Sequence, residues 1–137
     1  MFSLYFDGAS RSNPGPASYG GVFYENGVER YTYKEYIGST TNNVAEYKGL
    51  LNGLLFAQEK NIIHLEVYGD SKLVIEQVTG NWKIRSPLLK PIHRKISALL
   101  ATKPFDTITF QHVYRKNNKR ADELANEALD EALYSST

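Results

Sequence analysis

Four acidic residues lie at the ends of predicted strands or at the starts of predicted helices, where their carboxylates could form a binding site. Asp7 ends a predicted strand, and Asp70 ends another strand just before a helix. Glu46 and Asp122 each fall in the first turn of a predicted helix. Ligands of open α/β sheets bind beyond strand ends, where helices begin. Crowded carboxylates need a counter-charge, and an all-oxygen ligand set suits Mg²⁺. The four residues therefore predict a magnesium site, provided that the two strands are neighbours.

Each carboxylate also has an ordinary structural interpretation. Glu46 suits a capping box, and Asp70 or its neighbour Ser71 suits a helix N-cap. Asp122 suits the positive end of a helix macrodipole, and Asp7 suits a turn. Position alone therefore leaves the metal site a hypothesis. Competing chemistries are weak, because the chain has no cysteine and its three histidines lack the HExxH spacing of zinc hydrolases.

The elements that must position these residues begin with three strands. Residues 2–7 alternate apolar and polar side chains, and residues 8–16 are rich in Gly, Ser, Asn and Pro, which predicts a loop. Residues 19–24 and 29–37 flank an Asn-Gly turn, the pattern of a β-hairpin. We expect an antiparallel meander.

Helices and strands then alternate. We predict helices over 43–60, 71–79 and 87–102, strands over 64–69 and 107–113, and a final helix from residue 121. The predicted apolar stripe of the first helix consists of Val44, Tyr47, Leu51, Leu54, Leu55 and Gln58. The order βββαβααβα predicts an α/β fold with a five-stranded mixed sheet flanked by helices.

Composition bounds the function further. The 137 residues suit one domain, and 42% hydrophobic with 23% charged residues is ordinary for a soluble protein. The absence of cysteine fits a reducing compartment. No signal peptide or apolar run of membrane length is present. We expect a soluble cytoplasmic protein with no membrane association, and a monomer.

Basic residues are clustered although the net charge is only +1. Residues 77–105 contain no acidic side chain but carry Lys83, Arg85, Lys90, Arg94, Lys95 and Lys103. A second cluster comprises Arg115, Lys116, Lys119 and Arg120. Local basic surface suits a polyanion, although a solvated helix face is the more common explanation of such a run.

Four motifs around the carboxylates resemble those of the type 1 ribonuclease H family. They are residues 7–10 (DGAS) with 13–16 (NPGP), 40–46 (TTNNVAE), 70–71 (DS) and 118–125 (NKRADELA). They occur in the family's order and spacing, so the resemblance spans nearly the whole chain. It implies a ribonuclease H-like fold, with residues 1–137 as one catalytic domain of the compact form that lacks a hybrid-binding domain.

The resemblance also implies a reaction and its cofactors. The family hydrolyses the RNA strand of RNA–DNA hybrids with two Mg²⁺ ions, for which Mn²⁺ is a possible substitute, and leaves 5′-phosphate and 3′-hydroxyl ends. It implies that Asp7 bridges the ions, that Asp122 holds the ion carrying the attacking water, and that Glu46 and Asp70 help hold the other.

Substrate contacts follow from the same resemblance. It places Asn13, Asn42 and Asn43 near the minor groove of the hybrid. The remaining implied contacts are Thr41 near a DNA phosphate, Ser71 on the RNA strand, Trp82 on a DNA sugar and Arg115 on a phosphate. For Trp82, core packing is an equal alternative.

Two departures from the family stand out. Many relatives carry a histidine in a longer loop before the last helix, whereas residues 113–118 are short and lack one. The basic segment after Trp82 is also short, so we expect modest affinity that falls steeply with salt. Three alternatives stay open: a catalytically silent nucleic-acid-binding module, a resolvase or exonuclease of the same superfold, and a domain of a reverse transcriptase.

Overall fold

The computed structural model describes residues 1–134 and contains five strands and four α-helices. The strands are β1 (Phe2–Ser10), β2 (Gly15–Glu25), β3 (Val28–Thr40), β4 (His64–Gly69) and β5 (Thr107–His112). The helices are α1 (Asn42–Glu59), α2 (Lys72–Val78), α3 (Lys90–Ala101) and α4 (Lys119–Tyr134), and a 3₁₀ turn at Arg115–Asn117 precedes α4. The predicted order of elements is confirmed.

The sheet has the order β3-β2-β1-β4-β5. Strands β1, β2 and β3 pair antiparallel, whereas β4 pairs parallel with both β1 and β5. The β2–β3 turn places Asn26 and Gly27 at φ of 51° and 84°, the positive values that a tight hairpin turn of this kind requires. The five-stranded mixed sheet with an antiparallel start is therefore confirmed.

Helices cover both faces of the sheet. Helix α1 packs on β1 and β2 and contacts α2 and α3, whereas α4 packs on β2, β1 and β3. The main core lies on the α1 side and includes the fully buried Leu4, Phe6, Tyr47, Leu50 and Leu54. Within residues 1–134, none of the helices has the length and apolar character needed to cross a membrane.

A glycine sets the distance between α4 and the sheet. A Cβ atom on Gly20 of β2 would lie 2.6 Å from the backbone nitrogen of Ala125 and 2.7 Å from the Cβ of Leu124. Such distances are too short for real contacts, so the bare backbone at Gly20 is what lets α4 come this close. The Ser18 hydroxyl, which donates to the Ala125 carbonyl, joins the same two elements.

Three expectations about element boundaries are wrong. Strand β1 runs to Ser10 and β2 begins at Gly15, so the loop covers residues 11–14 rather than 8–16. Residues 8–10 belong to a strand because they pair with β2, ending with Ser10 opposite Ala17. Helix α3 begins at Lys90 rather than 87.

The predicted stripe of α1 is also partly wrong. Leu55 is 44% exposed and Gln58 is exposed, whereas Leu50 and Ala57 are buried. Because α1 touches the sheet on one side and α3 on another, it buries a broader surface than one stripe.

Candidate metal centre and nucleic-acid surface

The site begins where two parallel strands separate. Strands β1 and β4 stay paired as far as Phe6 and Gly69, and Asp7 and Asp70 are the next residues along the chain. Asp7 does not end β1, which corrects the expectation, but it is the first residue of β1 beyond the pairing with β4. The crevice beyond such paired ends is where α/β sheets bind ligands, and both carboxylates stand at its mouth.

Helix α1 brings the third carboxylate against β1. The helix is capped by Thr41, whose hydroxyl accepts from the Val44 amide at 3.2 Å, so Glu46 lies too far along α1 to form the capping box. A Cβ atom on Gly8 would collide with the backbone nitrogen of Glu46. Glycine beside Asp7 is therefore what allows the buried Glu46 to reach the same place.

The carboxylates form a compact cluster. One oxygen from each of Asp7, Glu46 and Asp70 lies within 4.8 Å of the others. Asp122 stands outside this group of three but is close enough to raise the pKa of Asp7 through its charge and a hydrogen bond. Its side chain, in the first turn of α4, is half-buried. The four predicted acids are thus brought together, three tightly and one at the border.

Burial makes this cluster unfavourable without a counter-charge. It raises the pKa of Asp7 to about 7, with further contributions from the negative charges of Asp70 and Asp122, against a hydrogen bond with Glu46 that lowers it. Burial, followed by the charge of Asp7, raises the pKa of Glu46 well above its usual range. Two buried oxygens, Glu46 Oε2 and Asp70 Oδ2, have no hydrogen-bond partner. An all-oxygen donor set with such orphaned atoms fits a hard divalent cation.

Asn118, to which the sequence analysis gave no role, ties the cluster together. Its side chain is buried and its Nδ2 donates to the Phe6 carbonyl at 2.9 Å, next to Asp7. The backbone carbonyl of Asn118 accepts from the Asp122 backbone amide at 3.1 Å. Asn118 therefore fastens the start of α4 to β1 between two of the acids. An asparagine just before a helix, four residues ahead of an acid, is the signal that could have found it.

Four of the predicted substrate contacts gather at the start of α1. Asn13, in the loop of residues 11–14, accepts from the Asn42 amide at 2.9 Å through its side-chain oxygen. Asn13 and Asn43 are exposed, and Thr41 and Asn42 are half-buried. Together they form a polar rim beside the carboxylates. The Thr41 hydroxyl is already engaged in capping the helix.

The other three predicted contacts belong to other segments of the chain. Ser71 follows Asp70 and caps α2 by accepting from the Val74 amide at 3.3 Å. Trp82, beyond α2, is 44% exposed and stands outside the core, so the core-packing alternative is wrong. Arg115 is exposed in the 3₁₀ turn before α4. All three side chains border solvent.

Comparison with known proteins agrees with this geometry. The reverse transcriptase-like family matches residues 5–128. The bifunctional protein Rv2228c of Mycobacterium tuberculosis is 43% identical over 94% of this chain and 35% of its own length. Ribonuclease HI of Halobacterium salinarum is 42% identical over 93% of this chain and 64% of its own length. The chain thus spans about a third of the mycobacterial relative.

Solved structures share the whole fold. LC11-RNase H1 in complex with RNA/DNA hybrid superimposes with a TM-score of 0.91 at 39% identity, covering 97% of this chain and 99% of that one. RNase H1 from Halobacterium salinarum gives a TM-score of 0.90 at 43% identity, covering 95% and 98%. The chain belongs to the type 1 ribonuclease H family, and the predicted ribonuclease H-like fold is confirmed.

Proposed function

We propose that this chain is a metal-dependent endonuclease that hydrolyses the RNA strand of RNA–DNA hybrids and leaves 5′-phosphate and 3′-hydroxyl ends. The observation that carries the proposal is the buried cluster of Asp7, Glu46 and Asp70, with orphaned oxygens and a strongly raised pKa at two members. A binding module would gain nothing from such a cluster, because bare carboxylates repel phosphate. The relatives named as ribonucleases support the same activity.

Asp7, Glu46, Asp70 and Asp122 would hold two Mg²⁺ ions, with Mn²⁺ as a substitute. When bound, the ions supply the positive charge that activates the attacking water and stabilises the leaving 3′-oxygen. Asp7 is suited to be the shared ligand, because it interacts with all three other acids. Glu46 and Asp70 form the tight group with it, and Asp122 interacts with it from the first turn of α4.

Recognition of the hybrid falls to the polar rim at the start of α1. Asn13, Asn42 and Asn43 offer short amides to sugar hydroxyls and base edges in the minor groove, where the 2′-hydroxyl distinguishes RNA from DNA. Thr41 lies at the helix N-terminus, whose free amides favour a DNA phosphate. Ser71, next to Asp70, would contact the RNA strand.

Outer contacts extend this surface. Trp82, with the exposed Lys83 and Arg85, offers an aromatic face and positive charge to the DNA strand. Arg115 offers a planar guanidinium to a phosphate. We propose that residues 1–137 act as one catalytic domain, as a monomer, in the reducing environment of the cytoplasm that the lack of cysteine suits.

Cleavage of end-labelled substrates tests the reaction class. We expect the RNA strand of a hybrid to be cut in Mg²⁺, with no cutting in EDTA and none of a matched DNA duplex. Binding of the hybrid without cutting in Mg²⁺ or Mn²⁺ would replace the proposal with a silent binding module. Cutting of the DNA duplex would instead indicate another nuclease of the same fold.

A further inference from the structure

The carboxylate of Asp122 is held by a residue one helical turn further along α4. The side-chain nitrogen Nδ2 of Asn126 lies 3.2 Å from Asp122 Oδ1 and 3.0 Å from the Asp122 backbone carbonyl oxygen. The two amide hydrogens can therefore serve the same residue, one on its backbone and one on its carboxylate. Positions i and i+4 of a helix are neighbours on its surface, which makes this pairing local to α4.

Arg11 sets which way the Asn126 amide points. The Arg11 atom Nη2 lies 3.5 Å from Asn126 Oδ1 and 2.6 Å from Asp130 Oδ1, and its guanidinium carbon stands 5.8 Å from the centre of the Tyr134 ring. A guanidinium has only donors, so the amide must turn its oxygen to Arg11 and its nitrogen to Asp122. Asp130 holds the guanidinium in that place and pairs with its charge.

We infer that Asn126 and Arg11 are positioning residues, which fix the Asp122 carboxylate in the orientation that binds the divalent cation. The inference rests on the proposed function, since it assigns Asp122 to that cation. With Oδ1 held by the amide, Oδ2 is left for the cation. Partners of this kind orient metal ligands in many sites and commonly change metal affinity by about 10- to 100-fold.

The position of Asp122 explains why such help is needed here. Asp7, Glu46 and Asp70 are confined within 4.8 Å of one another, whereas Asp122 is half-buried at the border of the cluster. A partly exposed aspartate samples several rotamers unless a hydrogen bond selects one. A neutral amide selects a rotamer without adding a positive charge that would compete with the cation.

Calorimetric titration of the purified chain with Mn²⁺ tests the inference without relying on cleavage. We expect Asn126→Ala to weaken Mn²⁺ binding about tenfold and to lower kcat at limiting Mn²⁺ while leaving KM for the hybrid unchanged. Its melting temperature should stay within about 4 °C of wild type, because one i,i+4 hydrogen bond contributes little to stability. Asp122→Asn changes the metal ligand itself, so its loss of Mn²⁺ affinity sets the upper limit for any loss caused by misplacing Asp122.

A double variant tests whether Arg11 acts only through Asn126. Because Arg11 acts through the amide, Arg11→Ala combined with Asn126→Ala should weaken Mn²⁺ binding no more than Asn126→Ala alone. Lys34→Ala is the matched control, because Lys34 pairs with Glu127 at 3.2 Å and Glu131 at 2.6 Å on the same helix. Mn²⁺ affinity should be unchanged in that variant.

Three outcomes would overturn the inference. If Asn126→Ala bound Mn²⁺ as tightly as wild type while Asp122→Asn bound it more weakly, Asn126 would have no positioning role. The proposed function would remain intact. Additive losses in the double variant would remove the part assigned to Arg11. A wild-type chain that bound no Mn²⁺ would overturn both proposals, whereas Mn²⁺ binding that depends on Asn126 without hybrid cleavage would overturn the function alone.

Discussion

Helices α1 and α4 each bring one carboxylate to the same strand, and they do so by different means. Glu46 on α1 is 3% exposed and reaches β1 because Gly8 leaves no side chain in the way. Asp122 on α4 is half-buried and is held by hydrogen bonds, from its own backbone to Asn118 and from Asn126 to its carboxylate. Close packing fixes the first acid, and polar contacts fix the second.

The two arrangements differ in their effect on the stability of the metal-free protein. A buried carboxylate whose oxygen has no partner destabilises the fold, as the orphaned Glu46 Oε2 indicates. A border carboxylate with an amide donor keeps its hydrogen bonding and part of its hydration. The tight side of the site would therefore gain stability from the cation that we propose, whereas the α4 side keeps its hydrogen bonds without one.

The largest effect is expected from filling the space beside Asp7. In Gly8→Ala, the new Cβ would meet backbone atoms of Ala45 and Glu46, which cannot move aside as a flexible side chain can. We expect a loss of about 3 kcal/mol of unfolding free energy and a strong loss of Mn²⁺ affinity, because α1 must shift with Glu46. Urea unfolding measures the free energy of unfolding, and calorimetric titration measures the Mn²⁺ affinity. Unchanged Mn²⁺ affinity would contradict the role given to this close contact.

A smaller effect, of opposite sign, is expected from removing the charge of Asp7. Burial raises its pKa to about 7 from 3.8, so the folded state binds a proton more tightly than the unfolded chain. The metal-free protein therefore loses stability as the pH rises from about 4 to 7, and the loss is complete above that. Asp7→Asn removes this loss, and should be the more stable protein in EDTA at pH 8.

Urea unfolding of both proteins in EDTA between pH 4 and 8 measures this difference. It should shrink towards pH 4, where Asp7 is protonated in both states for much of the population. Asp106→Asn is the control, because Asp106 is exposed and lies outside the cluster. Equal stability of Asp7→Asn and wild type at pH 8 would show that Asp7 carries no burial penalty.

Sequence patterns predicted the elements and the four acids because those signals are local. The Asn-Gly turn, the alternation of residues 2–7 in β1 and the strand-to-helix position of Asp70 can each be read from a few adjacent residues. The extent of β1 could not, since residues 8–10 have loop composition and become a strand by pairing with β2. Pairing across the sheet outweighs local composition there.

The partners of the supporting polar side chains could not be predicted from the sequence, because they lie far away along the chain. Asn118 reaches Phe6 from 112 positions along the chain, and Arg11 reaches Asn126 from 115. No periodicity reports such distant partners. The prediction that Leu55 lies on the buried face of α1 is wrong. The helix packs against neighbours on two sides, and a pattern for one buried face does not describe such a helix.

We propose that the clustered carboxylates, centred on Asp7, make this chain a nuclease. The most direct test compares the cleavage of a labelled RNA–DNA hybrid in Mg²⁺ by wild type, Asp7→Asn and Asp106→Asn. We predict that wild type and Asp106→Asn cut the RNA strand at similar rates, and that Asp7→Asn remains folded and cuts at least about 100-fold more slowly. Cutting by Asp7→Asn at the wild-type rate would contradict the claim.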